Sequence, residues 1–489
     1  MDRGTSIKAA AVATVFLLQI CLLSSVVSAS SDISINAANF PDETFRQYVS
    51  TYIDRNNDSF LSQEEIDAVT LIDVSGTSST PGTAADLTGI GYFTRLEGLY
   101  CSENQLTSLD ISRNTALTEL KCSNNKLTSL DVSNNKALIG LDCCSNKLTG
   151  LDLSNNKALT ELVVYDNQLI SLDLSKNTAL CRLICDNNRL TSLDVSKNIA
   201  LCRLFCGGNQ LRGLDVSNNT ALEELSCYSD QLPSLDVSKN TMLNSLDCSE
   251  NQIKSLDVSN NNVLEKLWCG SNQLKSLDLS NNTSLISLSC PFNKLTSLDV
   301  SNNTALIYLS CSKNQLTSLD VSQNTALTNL YCSVNIFPIV PKNGSFFLSG
   351  LPADFDPDKA SEWTGAAYDA ATNSLNNFTS ETVTYKYDCG NNRTATFTLK
   401  CTFVEIGNIT VNSDSVAITY SDDSSETYSF DEVPKAVVDF MINNDMESCA
   451  AFVNAFSADK DTMILTYAQL KAVEAVLASD FYKYTDICH

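Results

Sequence analysis

From Leu96 onward the chain repeats itself every 21 residues, and no other feature narrows its possible folds as much. One unit, residues 117–137, reads LTELKCSNNKLTSLDVSNNKA. Its sixth position is cysteine at 101, 122, 143, 185, 206, 227, 248, 269, 290, 311 and 332, with Val164 in the remaining slot. Leucine stands five residues before every member of that column, and asparagine three residues after it except at Asp230. Eleven aspartates, from Asp110 to Asp320, fill a further column. A unit this short cannot bury an apolar face alone. Stacked copies can, so each unit is expected to close one coil of a rod.

The unit holds two nested halves, L-x-x-L-x-C-x-x-N and L-x-x-L-D-V-S-x-N. Alternation in L-x-C and L-D-V turns Leu, Cys and Val inward and the residues between them outward. Inward asparagines can satisfy turn backbone that has no strand partner. Cysteines stacked about 4.8 Å apart are read as a filled ladder of small apolar side chains in preference to disulfides. Cys181 and Cys202 differ, because they share an outward column on adjacent coils and can form a surface disulfide. Cys144 reads as a lone outward thiol.

The stretch LYCSENQLTSLDIS (99–112) and its successors resemble the leucine-rich-repeat family, in the 21-residue form of secreted, internalin-like proteins. The resemblance implies a right-handed leucine-rich-repeat solenoid of parallel β coils. It also implies a recognition or adhesion protein that binds a protein or glycan partner on the repeat face.

The flanks divide into segments. Residues 1–29 read as a secretory signal: Arg3 and Lys8 precede an apolar run from Ala9 to Val27, and Val27-Ser28-Ala29 supplies a small-residue cleavage pattern. A secreted, extracellular location follows, and nineteen cysteines suit an oxidising compartment. Residues 32–90 are expected to form an EF-hand-like helical cap, with helices over 40–53 and 62–72. The repeats occupy 91–337. A β-rich C-terminal cap is expected over 338–405, with a hairpin around GNNR in 383–403. A mixed α+β segment follows over 406–489, with helices near 431–443, 446–457 and 467–480. A pairing of Cys449 with Cys488 is one way to tie down that segment.

Inside the N-terminal cap, DRNNDSFLSQEE (54–65) matches a twelve-residue calcium loop. Its ligand positions are Asp54, Asn56, Asp58, the Phe60 carbonyl, Ser62 and Glu65. Ser59 replaces the usual glycine at position six, a backbone position that favours positive φ and costs serine about 1 kcal/mol. The same residues admit a plainer reading, since Ser62 and Glu65 make a capping box and NND is an ordinary turn. Aspartates and asparagine at alternate positions are more than a cap needs, so the expected cofactor is Ca²⁺. Residues 456–470 carry a fainter echo at Asp459 and Asp461, expected to be metal-free.

On the repeat face, Val163, Ile184 and Phe205 are expected to make an apolar stripe on consecutive coils. Tyr165 and Tyr228 flank it, Arg182 and Arg203 stand two residues before the stripe, and Trp268 lies further along the column. Aromatics beside arginines are the make-up of a binding hot spot. The aspartate row needs something to offset its repulsion. Either each carboxylate accepts hydrogen bonds from its own turn, or divalent cations line the row. The second case would make this an acidic structural or cation-binding matrix protein.

A formal net charge of −25 argues against nucleic acid and anionic membranes as partners. Outside the N-terminal run, no apolar stretch is long enough for membrane insertion. The only histidine is His489, so histidine triads, imidazole zinc sites and histidine general bases are excluded. Neither a P-loop nor a G-x-G-x-x-G occurs, and no enzymatic activity is expected.

Overall fold

A computed structural model describes residues 32–452, apart from 343, 405, 413–414, 430–432, 434, 445–447 and 450. The signal segment, the 467–480 helix, the Asp459/Asp461 echo and Cys488 lie outside the described residues. The chain falls into two compact units, Met1–Asn251 and Gln252–His489, a coarser division than the five segments read from sequence.

The first unit opens with a short strand, Ile33–Ser34, antiparallel to Phe60–Leu61. Between them a helix, Glu43–Tyr52, is capped by the Asp42 side chain and buries Phe45 and Val49. The second helix, Gln63–Asp67, is shorter than its expected span, because residues 71–73 belong to a strand instead. That strand, Leu71–Asp73, lies parallel to Gly98–Tyr100 and buries Ile72 completely. The N-terminal segment is thus joined to the repeats by backbone pairing, and strand pairing overrides the helical pattern there.

Three-residue strands then recur at each coil, from Gly98–Tyr100 and Glu119–Lys121 to Glu224–Ser226 and Ser245–Asp247. Pairing is parallel and in register by one unit, as in Glu119↔Gly140 and Leu120↔Leu141. Cys101, Cys122, Cys143, Cys185, Cys206 and Cys227 are all fully buried and carry no disulfide. Burial pushes the Cys101 thiol up to about 12, as expected for an apolar filler.

Two asparagine ladders hold the turns. Asn125 accepts from the Leu106 N–H at 2.9 Å and donates to the carbonyls of Cys101 and Cys122 at 3.0 and 3.1 Å. In the other half-coil, Asn135 donates to Ile111 O and Asn114 O at 3.1 and 2.8 Å. These bonds satisfy carbonyls that no strand reaches.

The second unit continues the pattern in four parallel strands, Lys266–Trp268, Ser287–Ser289, Tyr308–Ser310 and Asn329–Tyr331. Asn335–Ile339 then runs parallel to Arg393–Cys401, which pairs antiparallel with Thr382–Gly390 in the expected hairpin. This hairpin closes the last coils. The Tyr385 hydroxyl donates to Thr317 O, Asn391 Nδ2 to Val321 O and Arg393 Nη2 to Leu327 O, each at 2.6 Å. Phe355, Trp363, Tyr385, Tyr387 and Phe397 pack ring to ring beneath it. Beyond lie the strands Ile406–Val411, Ser415–Tyr420 and Ser425–Ser429 and the helix Lys435–Asn444. Val416, Ile418, Val437, Val438 and Met441 form their core.

Candidate functional site

On the repeat face of the first unit, strand residues two apart point outward together, and coils spaced about 4.8 Å apart bring long side chains into contact. Val163 and Ile184 form one apolar cluster with Cys144, and Tyr165 and Phe205 pack against it. The sequence placed Cys144 on the surface as a lone thiol. In the structure it is buried, 3% exposed, because its larger neighbours on adjacent coils cover it. Burial raises its thiol to about 11. Val163 and Ile184 are also largely covered, at 8% and 9% exposure. They are therefore the floor of the patch rather than its contact surface, and the partly buried Tyr165 and Phe205 form its rim.

The two arginines sit where the stripe predicts, and both are ion-paired: Arg182 with Glu161, and Arg203 Nε with Glu224 Oε1 at 3.2 Å. Tyr228 lies over Gly207, where a Cβ would meet the Tyr228 ring at 2.3 Å, so only glycine permits this approach. Cys181 and Cys202 form a disulfide at the edge of the same coils, as their shared column implied.

Two carboxylates near this patch were not singled out from sequence. Burial raises Asp186 to about 6, although it accepts the Gly207 N–H at 2.9 Å. Asp230 takes an asparagine slot in the first ladder and is likewise raised by burial to about 6. Its Oδ1 accepts the Leu211 N–H at 3.0 Å, while its Oδ2 is buried without a hydrogen-bond partner. The only sequence signal was the break in the asparagine column.

Along the aspartate row, each side chain accepts from the serine two residues on, as in Ser133 N to Asp131 Oδ1 and Ser154 N to Asp152 Oδ1, both 2.9 Å. Hydrogen bonds from Ser133 hold Asp131 below its ordinary value, and those from Ser154 do the same for Asp152. These bonds from the local turn supply the offset that the row requires. At its end in the second unit, Lys359 Nζ pairs with Asp320 at 3.0 Å beside a groove of about 630 Å³ that also contains Asp299, Asp354 and Asp356.

The N-terminal loop has the turn that a calcium site needs: Ser59 adopts φ 68°, in the left-handed region. Asp54 is buried and accepts the N–H groups of Asp58 and Ser59 at 3.3 and 3.0 Å. Asn56 accepts from Asp58 N, and Asp58 accepts from Phe60 N. Glu65 accepts from Arg55 N at 2.8 Å, and from Ser62 N and Ser62 Oγ at 2.9 and 2.8 Å. The capping box is therefore complete. Burial alone would raise the Glu65 carboxyl, but the bonds from Ser62 and Arg55 outweigh it and leave the group below its ordinary value. Among the described residues, no three His, Cys, Asp or Glu side chains gather closely enough to hold a metal without rearrangement.

Trp268 belongs to the second unit. It is 42% exposed, and its indole Nε1 donates to Ser287 Oγ at 3.5 Å. Among the described residues, no helix is long and apolar enough to cross a membrane.

No protein-family model matches the chain. A stretch of 76 residues, 16% of this chain, is 34% identical to Internalin J of Listeria monocytogenes serotype 4b (strain F2365) and spans 8% of that protein. The solved functional domain of InlJ from Listeria monocytogenes, described as including a cysteine ladder, aligns over 77% of this chain and 100% of its own length. The identity there is 30% and the TM-score 0.51. The internalin InlF from Listeria monocytogenes aligns over 63% of this chain and 93% of its own, with TM-score 0.59; at 24% identity that likeness is one of fold alone. A leucine-rich-repeat protein of Leptospira interrogans aligns over 57% of this chain and 76% of its own, with TM-score 0.50 and 25% identity. The cysteine ladder, the parallel coils and these likenesses define a leucine-rich-repeat solenoid. The chain belongs to the internalin-like leucine-rich-repeat proteins.

Proposed function

We propose that this is a secreted recognition protein that engages a protein partner through the rim of the first unit's apolar patch. The observation that carries the reading is the contiguous cluster of Val163, Ile184, Tyr165 and Phe205 on an otherwise polar face, with Arg182 and Arg203 alongside. A rigid apolar floor presets the two rim aromatics, so little side-chain entropy is lost on binding. The Cys181–Cys202 disulfide joins two of the coils that present them. The alternative, an acidic matrix protein that loads cations on its aspartate row, is less well supported, since the row's carboxylates already accept hydrogen bonds from their own turns.

The test is binding of the full chain to a panel of animal and bacterial cells, followed by flow cytometry, with Phe205→Asp and Tyr165→Ala compared. Each substitution is expected to weaken binding about tenfold or more without altering the melting midpoint. Unchanged binding in both would refute the reading.

The Asp54–Glu65 loop extends the proposal to one structural Ca²⁺. The donors are all oxygen, as a hard cation requires, and the left-handed Ser59 gives the loop its turn. Asp54, Asn56, Asp58, the Phe60 carbonyl, Ser62 and Glu65 would hold the ion, with Glu65 giving up part of its capping role. The ion would brace the helix Glu43–Tyr52 against the strand that starts the repeats. Melting with and without EDTA, together with calcium titration, decides the point. A lower midpoint in EDTA supports the site, and an unchanged midpoint with no uptake removes it.

A further inference from the structure

The second unit carries a separate surface that presents exposed aromatic side chains. In its four coils, each strand and the turn after it have four outward-side positions: 266, 268, 270 and 271 in the first coil and their equivalents 21 residues apart up to 334, of which Gly270 and Ser310 are buried. None of these positions is acidic, in a chain whose net charge is −25, and the charged ones are Lys266 and Lys313. The rest are aromatic, apolar or small: Trp268, Phe292, Tyr308, Tyr331 and Val334 stand among serines, an asparagine, a glycine and a proline.

The aromatics are presented rather than packed away. Trp268, Phe292 and Tyr331 are 42%, 52% and 51% exposed. Tyr308 and Tyr331 lie side by side with ring centroids 5.6 Å apart. Phe292 holds φ 55° and Val334 φ 60°, at a turn where most coils place Asn, Ser, Asp or Gly. A bulky side chain there costs about 1–2 kcal/mol, which ordinary turn residues avoid. Lys313 Nζ sits 4.1 Å from the Phe292 ring centroid, so its charge is engaged with the ring.

We infer that this face binds an uncharged polysaccharide. Charge argues against charged ligands. A polyanion would be repelled by the chain as a whole, and a cationic ligand would find no carboxylate at these strand and turn positions, Glu265 standing just before the first strand. What the face offers is flat rings for the apolar faces of sugars and hydroxyl groups, from Ser287 and Ser289 among others, for their edges. Trp268 and Tyr331 lie three coil spacings apart, about 14 Å, which suits a short run of sugars laid along the solenoid axis. The inference does not depend on the Phe205 patch, which belongs to the first unit.

The test is electrophoresis of the full chain in native gels containing xylan, mannan, hydroxyethyl cellulose or hyaluronan, followed by calorimetry with whichever retards it. At least one of the three neutral polysaccharides is expected to retard the protein. Trp268→Ala and Tyr331→Ala are each expected to weaken binding about tenfold, Trp268→Phe to retain most of it, and Phe205→Asp to leave it unchanged. Both aromatics are exposed, so matching melting midpoints would confirm that the variants are folded. Three results would each overturn the inference: no retardation by any neutral polymer, a preference for hyaluronan, or retardation that survives both alanine substitutions.

Discussion

Replacing Asp230 by asparagine should stabilise the first unit at neutral pH and make no difference in acid. In the coils on either side, the equivalent asparagines donate to carbonyls: Asn209 to Cys206 O at 2.8 Å and Asn251 to Cys227 O at 2.8 Å. Asp230 reproduces the acceptor half of this arrangement, through Leu211, but its ionised Oδ2 has nothing to donate and is buried without a partner. Burial accordingly lifts its pKa from 3.8 to about 6. A shift of that size corresponds to about 3 kcal/mol at 1.36 kcal/mol per unit. Relaxation of the surrounding turn lowers the net penalty, so about 1–2 kcal/mol is expected. The sign follows from the raised value. Above about pH 6 the folded chain bears the cost of an ionised Asp230, and below the ordinary value of 3.8 the group is neutral folded or unfolded, so the cost vanishes. Urea unfolding followed by circular dichroism should therefore show a higher midpoint for Asp230→Asn at pH 8, with the gap closing towards pH 4. Asn209→Asp should show the opposite shift. An equal midpoint for Asp230→Asn at pH 8, or a gain that grows in acid, would refute the reasoning.

Other expectations follow from the same structure. Relief of Asp186 and Asp230 should raise stability as pH falls from 8. Below the ordinary aspartate value, stability should decline as depressed carboxylates such as Asp131 and Asp152 become protonated, which places the maximum near about pH 5. A monotonic pH profile of melting midpoints would contradict this. Removing the Cys181–Cys202 bridge as Cys181→Ser/Cys202→Ser should cost at most about 3 kcal/mol, the closure entropy of a 21-residue loop, as read by urea unfolding. Timed alkylation of the native protein should label Cys332, 8% exposed, well before Cys101 or Cys206, which are fully buried. Equal rates would mean that the ladder opens as a whole.

The coil and its columns were readable from sequence because identical residues at a fixed interval must occupy identical environments once the units stack. The same logic located the Cys181–Cys202 pair, since two cysteines in one outward column on adjacent coils have nowhere to point but at each other. It failed for Cys144, Val163 and Ile184, because their burial comes from the size of side chains on neighbouring coils and not from their own place in the repeat. Residues 71 and 72 were assigned to a helix because local pattern says nothing about a partner strand 27 residues away. In the loop proposed to hold calcium, the spacing gave the candidate donors, but the extent of Glu65's engagement with Ser62 and Arg55 needed coordinates. The exposed aromatics of the second unit were in plain view as letters. Only Trp268 was carried into the candidate site, although Tyr331 occupies the same column three coils on; Phe292 and Val334 stand at a turn whose exposure the sequence does not set.

A non-reducing peptide map of the native protein bears most directly on whether each stretch of 21 residues closes one coil. The account predicts a Cys181–Cys202 crosslink, with Cys101, Cys122, Cys143, Cys206 and Cys227 recovered as thiols after denaturation. Cys181 linked to any other cysteine, or disulfides running through the cysteine ladder, would contradict it.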